Sequence, residues 1–394
     1  MAKNVIHIST PQRTYTNGVW RVSADVAGEP LWFESKDSKL AVVPEAFVSA
    51  LFIPALHTGS KLTIDAKVDA GWIENTRNLL PIYKDWWGYP AEHPVETASD
   101  NRQPHAKNKI HNTKAASSAL CFTDGADSFY SLLRGSNDPR FLLYVRGFDV
   151  SLTDEERYLN FKKSLDEITK ATGTSSIIIS TNLRLHPTFK KVNWERTHGA
   201  ALASVGLLLS NVVNALVIPS SKTLEDEKPW GSHWKTDHFW SLPGTLELIH
   251  ADAELNRIDK ILAIAENSLV QKHLRVCWEN RAQTGNCSRC EKCLRTMTSL
   301  EESGQLARYH RVFDTQTPLT ELLNKLRYVP PHLHHNWKIL ASRNLPKEVL
   351  ASIQELLTRK KPAPVRKKFQ FLRKVFNKVR RSISHRLFSA TDKS

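Results

Sequence analysis

The spacing of apolar and polar positions divides the chain into stretches of different kind. Up to about residue 115, short runs alternate apolar with polar residues between Gly, Pro, Asp and Asn. Gly18–Ser23, Leu31–Phe33, Leu40–Val43 and Lys61–Val68 are predicted as strands, with Trp20, Trp32, Trp72, Trp86 and Trp87 as the bulk of a small core. Residues 1–115 are therefore expected to form a β-rich N-terminal module. The polar stretch Ser99–Ser118 is read as a linker or exposed loop.

From Ala119 the period switches repeatedly. Ala119–Phe122, Phe141–Val145, Ser176–Ser180, Ala215–Pro219 and Thr245–Ile249 are short apolar runs of the kind that form buried strands. Between them lie helical patterns: one opened by Thr153-Asp154-Glu155-Glu156 and ending near Gly173, and one over Thr197–Ser210. Asn256 caps a further helix with Ile258, Ile261, Leu262 and Ala265 on one face. Arg257 and Lys260 sit in its first turn, where the helix dipole disfavours cations; an anion contact or a solvated face accounts for them equally well. Leu274-Arg275-Val276-Cys277 is read as the end of a strand, and Thr296–Glu302 as a helix. This order predicts an α/β domain over 116–310 with a doubly wound parallel sheet, whose ligands bind at the carboxyl ends of the strands. A helical extension follows over 311–358, then a separate tail over 359–394.

Composition changes this picture in three places. The net charge of +15 is concentrated in the tail: Arg359–Ser394 holds thirteen Lys/Arg and one acid, leaving +3 for the other 358 residues. The body is thus not a basic nucleic-acid-binding globule. Within the tail, Val365, Phe369, Leu372, Phe376, Val379, Ile383 and Leu387 fall on one helical stripe flanked by lysines and arginines, a pattern suited to an anionic membrane surface. The uncharged run Gly199–Pro219 is interrupted by Ser204, Ser210, Asn211 and Asn214 and reads as core, and the N-terminus has no apolar export signal. Five cysteines, four of them clustered, fit a reducing compartment and a metal, so a cytoplasmic protein is expected, peripheral at the inner membrane face through its tail.

The chemistry is concentrated at two motifs. In Thr123-Asp124-Gly125-Ala126-Asp127-Ser128 a strand gives way through small residues to a helix start, which aims backbone N–H groups at an anion. The hexapeptide resembles the S-G-G-x-D-S loop of the PP-loop ATP pyrophosphatases, with Thr123 for the first Ser and Asp124 where the first Gly stands. The resemblance implies ATP held by Thr123, Asp124, Gly125, Asp127 and Ser128, with Mg²⁺ on Asp127 and Asp127 and Ser128 at the reacting phosphates. The second motif is Cys277-x9-Cys287-x2-Cys290-x2-Cys293, four thiolates suited to one tetrahedral Zn²⁺, with an iron–sulfur cluster as the rival. Cys121 is read as a small core residue.

The 7-cyano-7-deazaguanine synthases of the same superfamily carry a similar late four-cysteine knuckle, followed by a step like Cys293-Leu294-Arg295. The likeness spans about residues 117–304 and implies a HUP-like fold. It also implies an adenylating C–N ligase or amidotransferase that releases pyrophosphate, acting on a small molecule or glycan precursor. The competing reading is a non-catalytic nucleotide-binding scaffold with a loop altered at Asp124. Ser220–Pro243, rich in aromatics, is read as a lid or substrate loop, with His233, Asp237 and His238 as weaker metal candidates.

Overall fold

The computed structural model describes residues 4–96, 117–279 and 285–361. Its strands are β1 (Val5–Ile8), β2 (Gln12–Thr16), β3 (Val19–Val26), β4 (Glu29–Ser35), β5 (Lys61–Ile64), β6 (Ser118–Cys121), β7 (Phe141–Arg146), β8 (Ser175–Thr181), β9 (Ala215–Pro219) and β10 (Glu247–Ala251). Its helices are α1 (Pro44–Thr58), α2 (Ala70–Arg77), α3 (Leu79–Trp87), α4 (Ala126–Leu133), α5 (Glu155–Thr172) and α6 (Trp194–Leu208). They continue with α7 (Arg257–Ile264), α8 (Ser268–His273), α9 (Glu291–Glu302), α10 (Leu319–Lys325), α11 (His334–Ala341) and α12 (Lys347–Thr358).

One mixed sheet of ten strands runs through the molecule in the order β10-β9-β6-β7-β8-β4-β3-β1-β5, with β2 paired to β3. The five strands from β10 to β8 are all parallel to one another. Their order in the chain runs outward from β6 in both directions, so the strand order reverses between β6 and β9. A crevice opens at the carboxyl ends of such a pair, because the connections leave toward opposite faces.

The stretch expected as a separate β-rich module contributes five strands to this same sheet. The junction is narrow: β4 meets β8 antiparallel through Phe33 opposite Thr181 and Glu34 opposite Ser180. Side chains extend it. Asn182 Oδ1 accepts from Trp32 N at 2.9 Å, Asp37 Oδ2 from Ile178 N at 2.8 Å, and Ser35 Oγ donates to Ile178 O at 2.8 Å. Leu40–Val43 is not a strand: Pro44, whose ring pre-sets the helical φ, starts α1 directly after it. Twelve of the fifteen α1 residues are buried, so α1 carries no polar face that periodicity could detect.

Alternation along the parallel strands divides two cores. Leu143, Val145, Ile177, Ile179, Leu216 and Ile218 face α1 and α6, while Leu142, Tyr144, Ile178 and Val217 face α4, α5, α7 and α9. The helix capped by Asp154 ends at Gly173, which takes φ 70 in the left-handed conformation that glycine adopts without cost. Among the described residues no helix is long and apolar enough to cross a membrane. The tail stripe from Val365 to Leu387 lies outside the described residues.

Candidate functional site

The Thr123–Ser128 loop leaves the carboxyl end of β6 beside the reversal of strand order and runs into α4. Gly125 caps that helix with φ −78, and the first-turn N–H groups of α4 have no side-chain cap among the described residues. Ser128 Oγ donates to Gly125 O at 3.1 Å and fixes the turn. The residue with left-handed backbone is Asp124, at φ 56, and not Gly125. Aspartate tolerates that region better than most side chains, which is why it can stand where glycine would otherwise be expected.

Asp124 does not point at the site. Its side chain is buried and is not among the residues lining the cleft, whereas Thr123, Gly125, Asp127 and Ser128 all line it. Its carbonyl accepts from Arg275 N at 2.8 Å. Burial pushes its carboxyl up to about 8, against the opposing influence of Ser164 and Arg275.

Asp127 faces the cleft but is fully engaged. Arg257 Nε donates to its Oδ1 at 3.2 Å, and Arg257 Nη2 binds its Oδ2 in a bidentate pair. Burial works to raise the Asp127 carboxyl, and Arg257 outweighs it, holding the group below the usual carboxylate range. With each oxygen already accepting from Arg257, a Mg²⁺ on Asp127 would share the carboxylate with that guanidinium. Asp127 holds the Arg257 guanidinium at the loop end of the cleft. Arg257, in the first turn of α7, thus has the Asp127 carboxylate as its partner, while Lys260 turns inward and donates to Ser220 O at 2.8 Å.

The cleft encloses about 2500 Å³ and straddles the carboxyl edge of the sheet. On one side stand the α4 mouth, Arg257, Arg275, Lys292 and Arg295. Burial, with Arg257 close by, brings the Lys292 ammonium down to about 8. On the other side an aromatic wall runs Phe148, Trp194, His198, Trp230, each ring centroid 4.9–5.9 Å from the next. Arg184 lies over Trp194 at 4.6 Å. His198 Nδ1–H donates to Trp194 O at 3.1 Å, which leaves Nε2 as an acceptor. The C-terminal extension closes a third side with Arg327, His332 and His335.

The Ser220–Pro243 loop is held to α6 by a glycine contact. A Cβ on Gly199 would lie 2.0 Å from Gly231 O, so the two backbones meet where no side chain fits. Lys222 and Trp230 of this loop line the cleft. The histidines in it do not gather a metal. His233 Nε2 donates to Asp226 O at 3.1 Å and its Nδ1 accepts from Lys235 N, while buried Asp237 binds Ser232 Oγ at 2.6 Å and His250 Nδ1 at 2.8 Å. His238 packs on Phe239.

The four cysteines do converge. Cys277, Cys287, Cys290 and Cys293 place their sulfurs within 4.8 Å of one another and are the one His/Cys/Asp/Glu group among the described residues that could hold a metal ion. Cys277 and Cys290 are 4.0 Å apart and Cys287 and Cys293 3.9 Å. Tetrahedral Zn–S bonds of about 2.3 Å require sulfurs about 3.8 Å apart, so the set fits a single ion. An iron–sulfur cluster would need its thiolates spread around several metals. Hydrogen bonding from Cys293 draws the Cys290 thiol down to about 6 and burdens Cys293 in the opposite direction.

Leu274–Cys277 is irregular rather than a strand. Its backbone is held by Asp124 and by Asn286, whose Oδ1 accepts from Val276 N at 2.8 Å and Cys277 N at 3.1 Å. The helix after the knuckle starts at Glu291, not Thr296, with Cys290 at its cap. That one turn more of helix puts Lys292 into the cleft. Cys121, read as core, also reaches the cleft floor.

Sequence reasoning missed Lys292, Arg184, His198 and the wall of the C-terminal extension. Only Lys292 had a usable signal, its place between two metal-type cysteines at a helix start. No protein-family model and no curated protein matches the chain.

Proposed function

We propose that this chain is an adenylating enzyme of the PP-loop ATP pyrophosphatase type, with Mg-ATP as substrate. The polyphosphate lies against the N–H groups and hydroxyls of Thr123, Gly125 and Ser128, and Arg257 and Lys292 neutralise its charge. An acceptor oxygen from a carboxylate, amide or carbonyl attacks the α-phosphorus. The new O–P bond forms as the bond to the β-phosphate oxygen breaks, and pyrophosphate departs with the electron pair. A nitrogen nucleophile then attacks the activated carbon, AMP leaves, and the nitrogen gives its surplus proton to solvent. The residues act by positioning and charge stabilisation. Four thiolates around Zn²⁺ make a closed, structural shell with no open position for water.

The observation that carries this reading is the place of the loop. It lies at the carboxyl end of β6, beside the strand-order reversal, with an uncapped helix mouth and a carboxylate-held arginine opening on one cleft. The aromatic wall across the sheet edge offers the acceptor a stacking surface. The scaffold reading has one observation in its favour: both Asp127 oxygens are occupied by Arg257.

Calorimetry with Mg-ATP, followed by pyrophosphate release in the presence of carboxylate and amide acceptors, separates the two. Binding with release that Arg257→Ala abolishes supports the enzyme. Binding without release by any acceptor supports the scaffold, and absence of binding overturns both.

A further inference from the structure

The proposed reaction ends with a proton to remove from the nitrogen, and one side chain on the aromatic wall is arranged to take it. His198 of α6 holds its Nδ1 against backbone. That nitrogen is 3.1 Å from Trp194 O, one turn back, and a Cβ on Gly231 would lie 2.7 Å from it. A carbonyl oxygen only accepts, so Nδ1 carries the hydrogen and Nε2 of the neutral ring keeps its lone pair. Turning the ring over would set a C–H against Trp194 O and lose the bond. The Trp194 and Trp230 rings stand on either side, 5.9 and 5.4 Å away. Nε2 has no hydrogen-bond partner among the described residues, and the ring lines the cleft. His332 and His335 also line the cleft, but they are exposed, and no hydrogen bond among the described residues fixes either ring.

We propose that His198 is the general base of the nitrogen-transfer step, its Nε2 taking the proton that the nitrogen nucleophile sheds. The inference rests on the adenylating reading of the cleft. As the lone pair of ammonia or an amine forms the C–N bond at the activated carbon, one N–H proton passes to Nε2. AMP leaves with the electron pair of the C–O bond, and the imidazolium then hands its proton to solvent.

The layout of the cleft puts the base on the correct side. The loop, Arg257 and Lys292 hold the phosphates at one wall, and the acceptor lies on the rings of the other. The nitrogen therefore meets the activated carbon beside the rings, where His198 stands. A base must be unprotonated before it acts and must titrate near the working pH. Burial lowers the basicity of His198, which keeps the ring neutral at pH 7. The Trp194 carbonyl on its own helix acts the other way, as do Asp237 of the 220–243 loop, Asp149 after β7 and Glu195 of α6. These groups favour the imidazolium once it forms.

The test begins without any ligand. Nitrogen-15 spectra of the full-length protein should show one histidine as the Nδ1–H tautomer that is missing from His198→Asn. Rates are then measured with Mg-ATP, ammonium chloride and the carboxylate or amide acceptor that gives the most pyrophosphate release. His198→Asn keeps an amide N–H for Trp194 O but has no nitrogen at the Nε2 position. It should lower nitrogen transfer by about a hundredfold or more, and the exchange of labelled pyrophosphate into ATP by less than about tenfold. The ratio of wild-type to variant transfer rates should rise with pH through the histidine titration, which separates His198 from the ionisation of ammonium and of Lys292. In His198→Ala, free imidazole in the buffer should restore transfer. An Nε2–H tautomer at His198, or exchange and transfer falling together without imidazole rescue, overturns the base and leaves the enzyme reading standing. Absence of pyrophosphate release with every acceptor overturns the enzyme reading, and the base with it.

Discussion

At the scale of single residues, the loop separates fold from ligand in a way two substitutions can read. Gly125 has φ −78, ψ 160, a conformation open to any residue, and an added Cβ would meet Thr123 Oγ1 at 3.4 Å without severe clash. Gly125→Ala should therefore change stability by less than about 1 kcal/mol while occupying the space beside the helix mouth. Thermal unfolding should be near wild type and calorimetry with Mg-ATP should show affinity lost at least tenfold. Asp124 behaves in the opposite sense. Its carboxyl shifts from 3.8 to about 8 on folding, so the folded chain keeps a proton that the unfolded chain releases between those values. The stability tied to this group is full below about pH 4 and declines as pH rises toward about 8, by at most about 1.4 kcal/mol per unit. Asp124→Asn keeps the left-handed backbone acceptable and removes that decline. Urea midpoints between pH 5 and pH 8 should fall for wild type and fall less for the variant; parallel slopes would show Asp124 ionised in the fold.

At the scale of elements, what the sequence disclosed follows from how each element is buried. The parallel strands Phe141–Arg146, Ser175–Thr181 and Ala215–Pro219 are covered on both faces, so they read as unbroken apolar runs between polar turns. Helix α1 is equally buried and for that reason has no amphipathic period, and the apolar Leu40–Val43 before it has a strand's pattern without being one. The cysteine spacing disclosed a metal-type cluster because ligands close in sequence must be close in space. The cleft walls at His198, Arg184 and Arg327 come from elements far apart in the chain, and nothing local marks them. Two experiments act at this scale. Cys290→Ser, or a strong chelator, should remove the bound metal and lower the melting temperature by several degrees, since such sites contribute on the order of 10 kcal/mol in small zinc peptides. Elemental analysis should find one zinc per wild-type chain. Gly199→Ala drives a Cβ to 2.0 Å from Gly231 O and must lift the 220–243 loop from α6. A loss of about 1–3 kcal/mol is expected, with weakened acceptor use and unchanged metal content.

At the scale of the whole molecule, the first 96 residues and the parallel sheet share one hydrophobic core. Phe33, Phe47 and Phe52 from the first part cluster with Ala203, Leu207 and Trp240 from the second. Removing residues 1–96 would bare the α6 face that α1 covers, so a fragment beginning at 117 should aggregate rather than fold. The tail is a different matter, because its charge is independent of that core. Residues 359–394 carry +12 against +3 for all the rest, with their apolar positions at helical spacing. Basic residues near an anionic surface contribute about 1 kcal/mol each, and the apolar stripe adds burial among the acyl chains. The tail is therefore expected to bring the protein to vesicles rich in phosphatidylserine and not to neutral ones, with binding that weakens as salt is raised through the screening range. Deleting 362–394, which keeps Arg359 on the carbonyls of Leu323 and Leu326, should abolish sedimentation with the vesicles and leave melting temperature and Mg-ATP binding unchanged. Sedimentation that ignores lipid charge, or persists after the deletion, would assign the tail to a protein partner instead.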